Sequence, residues 1–136
     1  MKQVDKDHYR FEKYAHTDRF ASYFYQLKEI HAAKPDNILE IGVGDAVVGN
    51  YIRDNTSIIY KSIDVAADVN PDVTGSVLEL PFEDSMFDVV CAFEVLEHIP
   101  FDSFEKAISE MLRVAKKRVL VSVPHFGPPI KGLIKI

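Results

Sequence analysis

Apolar positions along the chain fall into short runs that alternate with stretches of helical spacing. Asn37–Ile41 is a compact apolar run of the kind that forms a strand buried on both faces. Gly42-Val43-Gly44-Asp45 follows it and leads into a helix ending near Arg53, after which Asp54, Asn55 and Thr56 supply turn residues. Residues 57–63 are β-branched and predict a second strand closing at Asp64, and Val73-Thr74 predicts a very short third one. Phe87–Phe93 is a third strong apolar run behind the acidic turn Glu83-Asp84-Ser85, and Arg118–Val123 is a last strand stopped by Pro124. Two further helices are predicted. One is capped by Thr17 or Asp18 and runs to about Ala33, with Phe20, Phe24, Leu27 and Ile30, or Ile30 with Tyr23, at helical spacing on its packed face. The other runs from Asp102 or Ser103 to about Ala115, with Asp102 and Glu105 spaced as a capping box.

Strands alternating with helices predict an α/β fold, a parallel sheet covered by helices on both faces in three layers. Such sheets bind ligands beyond the carboxyl ends of their strands. That singles out Gly42–Asp45, Asp64-Val65, Gly75–Leu78, Phe93–His98 and Pro124-His125.

At 136 residues the length suits one domain, and 47% hydrophobic with 27% charged residues is ordinary for a globular chain. We expect residues 1–35 to form a helical segment packed on the sheet and residues 36–136 to form the ligand-binding domain. The single cysteine, Cys91, rules out an internal disulfide and a cysteine-cluster metal site, and it fits a reducing, cytoplasmic setting. The net charge of −5 and the lack of a basic face disfavour nucleic acid as a partner. No apolar run approaches the roughly 18 residues of a membrane span, so no membrane partner is expected.

The glycines at 42 and 44 stand where a strand turns into a helix, which allows a tight turn and close approach of backbone to a ligand. Val47 replaces the glycine that a dinucleotide fingerprint would want next. Asp64 closes the following strand about 20 residues on, where a carboxylate can take ribose hydroxyls. Glu40 and Asp45 flank the loop with negative charge. That charge would repel a pyrophosphate and suits a ligand with a cationic ammonium, so S-adenosylmethionine fits better than NAD.

With those residues in view, the chain resembles the class I S-adenosylmethionine-dependent methyltransferases. Leu39-Glu40-Ile41-Gly42-Val43-Gly44 is similar to the family's first motif, and Ser62-Ile63-Asp64 to its ribose-binding strand end. The segment from Leu80 to Asp88, the segment from Phe93 to Ile99 and the run from Val119 to Pro124 resemble its fourth and fifth strands and their flanks. The nearest likeness is to the "type 11" small-molecule methyltransferases. The resemblance implies a Rossmann-like sheet of strand order 3-2-1-4-5, lacking the sixth and seventh strands usual in the family. It implies that Glu40, Gly42 and Gly44 surround the methionine part of the cofactor. Asp64 holds the ribose, Val65 lies against the adenine, Ser76, Val77 and Leu78 frame the adenine, and Phe93 and Glu94 lie near the sulfonium. Ala46 stands where a third glycine is common, and Ser76 where many relatives carry an aspartate. The open sheet edge is expected to be covered by a second copy or by a further C-terminal segment.

Methyl transfer from a sulfonium depends mainly on alignment, and a base helps when the acceptor is a hydroxyl or ammonium. His98 is the candidate base, with His125 second. Glu94, Glu97 and His98, with His125, could also form a metal constellation if Glu94 and His98 lie one helical turn apart, but we expect no metal. The expected function is methyl transfer to a small or medium-sized metabolite. The alternative is a non-catalytic relative that binds cofactor or a protein partner.

Overall fold

The computed structural model describes residues 4–124. A 3-10 turn, Lys6–Tyr9, and a single helical turn, α1 (Phe11–Tyr14), precede the long helix α2 (Thr17–Ala32). There follow β1 (Asn37–Ile41), α3 (Val47–Asn55), β2 (Ile59–Asp64), β3 (Val73–Thr74), β4 (Phe87–Phe93), α4 (Phe104–Val114) and β5 (Ala115–Ser122). The strands form one parallel sheet in the order β3-β2-β1-β4-β5. The chain winds outward from β1 in one direction and from β4 in the other. The switch point of the sheet therefore lies between their carboxyl ends, at Gly42 and Phe93-Glu94, where doubly wound sheets bind ligands.

The core is split by the sheet. On one face Leu39, Ile41, Ile63, Val90 and Ala92 pack with Val77, Leu80, Phe87 and Leu96 against Ala107, Met111 and Val114 of α4. On the other, Ile38, Val89 and Cys91 pack with Val48 and Ile52 of α3 and Tyr23 and Ile30 of α2. Each fully buried aliphatic side chain contributes roughly 1.5–3 kcal/mol of transfer free energy. β4 is buried through six successive residues because it is a central strand covered on both faces. Among the described residues no helix is long and apolar enough to cross a membrane.

Several boundaries and faces differ from the sequence reading, each for a local reason. Helix α2 is capped by His16, whose Nδ1 accepts from the Arg19 amide, rather than by Thr17 or Asp18. Its buried face carries Tyr23, Gln26 and Ile30, while Phe20 and Phe24 point outward at 51% and 62% exposure. The hydroxyl of Tyr23, on that buried face, reaches Asp45 at 2.5 Å. β2 begins at Ile59, because Thr56 holds a turn by donating to the Ile52 carbonyl and accepting from the Ile58 amide. Asp102 lies in a 3-10 turn, Phe101–Ser103, and no side chain caps α4, so the capping box does not form. β5 starts at Ala115, directly after α4. Arg113 anchors that junction by donating to the Leu80 and Phe82 carbonyls and to Glu110 and Asp84.

Candidate functional site

The glycine loop takes its shape from left-handed backbone. Gly42 has φ +81° and Gly44 φ +57°, and a Cβ on Gly42 would lie 2.3 Å from Val95 Cγ2, so only glycine fits there. Ala46, the residue before α3, also sits at φ +63°, a conformation that costs an L-residue about 1–2 kcal/mol. Glu94, just beyond β4 on the other side of the switch point, has φ +56°. Lys34, Asn70 and Ser85 share this left-handed backbone elsewhere in the fold.

Carboxylates surround this loop. Asp64 accepts the Val43 amide at 2.7 Å through one oxygen and the Ala66 amide at 2.8 Å through the other, so it ties the glycine loop to the end of β2. A carboxylate offers about four lone-pair sites, which leaves acceptor capacity for further donors. Asp45 accepts from Tyr23 and from the Val47 amide. Glu40 is buried at 4% exposure and accepts from the Tyr60 hydroxyl. Burial, with Asp45 and Asp64 nearby, pushes the Glu40 carboxyl up to about 8, although the bond from Tyr60 acts in the opposite direction.

The opposite wall comes from the N-terminal helices. Arg19 donates to Glu94 at 3.0 Å and to the Tyr14 hydroxyl at 2.8 Å, and its guanidinium stacks on the Tyr14 ring at 3.7 Å. Desolvation holds the Tyr14 hydroxyl up to about 12, so it stays protonated. Tyr14, Arg19, Tyr23 and Gln26 close a small cavity of about 40 Å³ with Glu40, Gly42, Gly44, Asp45, Phe93 and Glu94. A larger cavity of about 690 Å³ lies beside it, between α3, β2 and the N-terminal turn, where Arg53, Tyr60, Ser62 and Asn70 form its wall. Residues 65–72, with a 3-10 turn at Ala67–Val69, connect β2 to β3 beside it.

The structure thus brings Glu40, Gly42, Gly44, Phe93 and Glu94 together around one cavity, with Asp64 bonded to the loop at its side. Val65, 38% exposed, follows Asp64 directly. Ser76 Oγ accepts from the Leu78 amide at 3.1 Å, Val77 is buried in the apolar core, and Leu78 packs against that core. His98 ends a 3-10 turn, Leu96–His98, with its side chain half exposed and 3.7 Å from Glu97, and it lines neither cavity. Glu94 and His98 do not share a helical turn: Glu94 is left-handed and turned to Arg19. Among the described residues no group of His, Cys, Asp and Glu converges as a metal site would require, and His125 lies outside them.

Sequence reasoning assigns Arg19 and Tyr60 no role, and Tyr23 only a place in the packing of its helix. Arg19 and Tyr23 do lie four residues apart on one helical face. The aromatic stripe of Phe20 and Phe24 masked that signal, being the more apolar face of the same helix.

A five-stranded parallel sheet of order 3-2-1-4-5, with a glycine loop after its first strand and an acid ending its second, defines a Rossmann-like nucleotide-binding fold. Residues 39–123 match the family model described as a methyltransferase domain, and the chain belongs to that family. An uncharacterized protein of Methanocaldococcus jannaschii, MJ0638, is 29% identical over 96 residues, covering 68% of this chain and 41% of its own. The fold resembles a presumptive S-adenosyl-L-methionine-dependent methyltransferase of Methanococcus maripaludis, with a TM-score of 0.68 and 15% identity over 90% of this chain and 65% of that one. It also resembles the Burkholderia thailandensis 1,6-didemethyltoxoflavin-N1-methyltransferase, solved with bound 1,6-didemethyltoxoflavin and S-adenosylhomocysteine. There the TM-score is 0.66 and the identity 18%, over 80% of this chain and 55% of that one. The chain therefore spans less than half the length of the curated relative it matches and little more than half to two thirds of these structures.

Proposed function

We propose that this chain binds S-adenosylmethionine across the switch point of its sheet and supports transfer of the methyl group to a small or medium-sized metabolite. The observation that carries this reading is the set of carboxylates around a left-handed glycine loop, with a guanidinium at the facing wall. A phosphate ligand would meet negative charge there, whereas an amino-acid end meets opposite charges for both of its groups. Glu40 and Asp45 suit the ammonium, Arg19 suits the carboxylate, and Asp64 has spare acceptor capacity for ribose hydroxyls. Val65, directly after β2, and Ser76, just after β3, are the residues that the family resemblance assigns to the adenine. The resemblance to a relative solved with S-adenosylhomocysteine supports the same ligand.

The cofactor supplies an electrophilic methyl on a sulfonium. The chain's own residues hold the amino-acid end between α2 and the glycine loop, with Phe93 and Glu94 at the end of β4 beside it. Such a reaction gains most from alignment. His98, close to Glu97, is the candidate to take a proton where the acceptor is a hydroxyl or an ammonium. The net charge of −5 supports a small acceptor over a nucleic acid.

Calorimetric titration of the chain with S-adenosylmethionine, S-adenosylhomocysteine and NAD tests the reading. The expected result is binding of the first two, absence of NAD binding, and a loss of about 10- to 100-fold in affinity for Asp64→Asn, the worth of a hydrogen bond to a charged group. Unchanged affinity in that variant would remove the ribose assignment, and binding of NAD alone would overturn the cofactor. Binding without turnover of any acceptor would move the chain to the non-catalytic relatives.

A further inference from the structure

The half-buried Tyr60 and the buried Glu40 form a pair that packing does not require. Glu40 lies on β1 and lines the smaller cavity, whereas Tyr60 lies on β2 and lines the larger one. The hydroxyl of Tyr60 donates to Oε2 of Glu40 across the wall between them. The ring is held from the α3 side. Arg53 of α3 stacks over it at 4.6 Å, and Asp72 grips that guanidinium at 2.7 and 2.9 Å while also accepting the Ser62 amide. α3 makes room for the hydroxyl with Gly49, where a Cβ would lie 2.3 Å from the Tyr60 oxygen. A phenylalanine at position 60 would keep the ring packing without burying a hydroxyl, so the arrangement serves the carboxylate.

We propose that Tyr60 is a positioning residue for cofactor binding: it fixes the Glu40 carboxylate so that the free acceptor capacity of Glu40 meets the ammonium of the cofactor's amino-acid end. This rests on the reading of the site as one for S-adenosylmethionine. Gly49, Arg53 and Asp72 extend the device by holding Tyr60 in turn.

A protonation consequence follows. The groups around Glu40 are Tyr60 of β2, Arg53 of α3, Asp45 of the glycine loop, Asp64 at the end of β2 and Cys91 of β4, with Tyr14 of α1, Arg19, Tyr23 and Gln26 of α2 and Glu94 after β4 lining the same cavity. With its carboxyl raised to about 8, Glu40 carries a proton at neutral pH in the free protein. An ammonium beside it favours the ionised form, so binding sends that proton to solvent, and affinity rises with pH until about 8. Tyr60 donates to the carboxylate and lowers the pH at which it ionises; its removal shifts that rise to higher pH.

The test is calorimetry of the wild-type chain, Tyr60→Phe and Glu40→Gln with two probes over pH 6–9. The probes are S-adenosylhomocysteine, which carries the amino-acid end, and 5′-methylthioadenosine, which lacks it. Buffers of different ionisation enthalpy report proton release. We expect Tyr60→Phe to bind S-adenosylhomocysteine about tenfold more weakly at pH 7. Its pH profile should move upward, and its affinity for 5′-methylthioadenosine should stay within about twofold. Glu40→Gln should show the same selectivity with no proton release from this site. Equal losses for both probes would make Tyr60 a merely structural residue, and an unchanged affinity and profile would overturn its role outright. Failure of the wild-type chain to bind either probe would instead refute the cofactor reading, and this inference with it.

Discussion

The two faces of the sheet bury different chemistry. Against α4, the buried core is apolar throughout, from Leu39 and Ile41 to Met111 and Val114. Against α2 and α3, the apolar residues Ile38, Val89, Cys91 and Ile52 are interrupted by Glu40, Gln26 and the tyrosine hydroxyls of Tyr23 and Tyr60. Buried polar groups cost stability unless paired, and even paired they seldom improve on hydrocarbon. The first face therefore holds the fold together, while the second trades stability for a site. The neighbouring strands β1 and β4 contribute to both, because successive residues of a strand point to opposite faces.

The largest effect expected of a single substitution is on the apolar face. Met111→Ala, at a residue with no exposure, should cost about 2–5 kcal/mol in urea unfolding. Affinity for S-adenosylhomocysteine per folded molecule should stay unchanged; a parallel loss of affinity would show that the faces are not separable. Gly42→Ala comes next. Its Cβ collides with Val95 and its backbone is left-handed, for a combined cost of about 2–4 kcal/mol. Here the affinity loss should outlast any rescue of stability at low temperature. A variant that binds normally would mean that the loop geometry is not needed.

The smallest effect sharpens the comparison through pH. Glu110, on α4 and bonded to Arg113 and the Leu80 amide, has its carboxyl lowered from 4.5 to about 2, chiefly by Arg113. A carboxyl lowered by folding binds its proton more readily when unfolded. Its stabilisation is therefore complete above about pH 4.5 and is lost as the pH falls toward 2. Glu110→Gln should be less stable than the wild type by about 1–2 kcal/mol at pH 7, with the gap closing toward pH 2 in denaturant titrations. A gap independent of pH would assign the effect to packing. On the other face Glu40 has the opposite sign: raised by burial, it costs stability increasingly above its normal ionisation range.

Much of the fold was legible because its strands are short apolar runs bounded by turn residues. β1 and β4 have the predicted limits, and even the two-residue β3 was visible from Val73-Thr74. The errors fell on the face of one helix and at the start of another. Phe20 and Phe24 suggested the buried face of α2, but Tyr23 lies on it, bonded to Asp45. Asp102 and Glu105 matched a capping box, but a 3-10 turn placed Asp102 ahead of the cap. In the site, the positions of the glycine loop and its acids were readable because they follow from sequence-local geometry at strand ends. Arg19 and Tyr60 were not, because their partners Glu94 and Glu40 lie 75 and 20 residues away along the chain.

The sequence by itself determined the parallel α/β class, the positions of the strands, and the loop and acids at their carboxyl ends, since these follow from local periodicity and backbone preference. Only the tertiary structure decided which way α2 faces, that an arginine closes the crevice against Glu94, and that a tyrosine holds Glu40. Those choices arise from pairing polar groups that burial leaves without water, and such pairs are chosen by proximity in the folded sheet rather than by spacing along the chain.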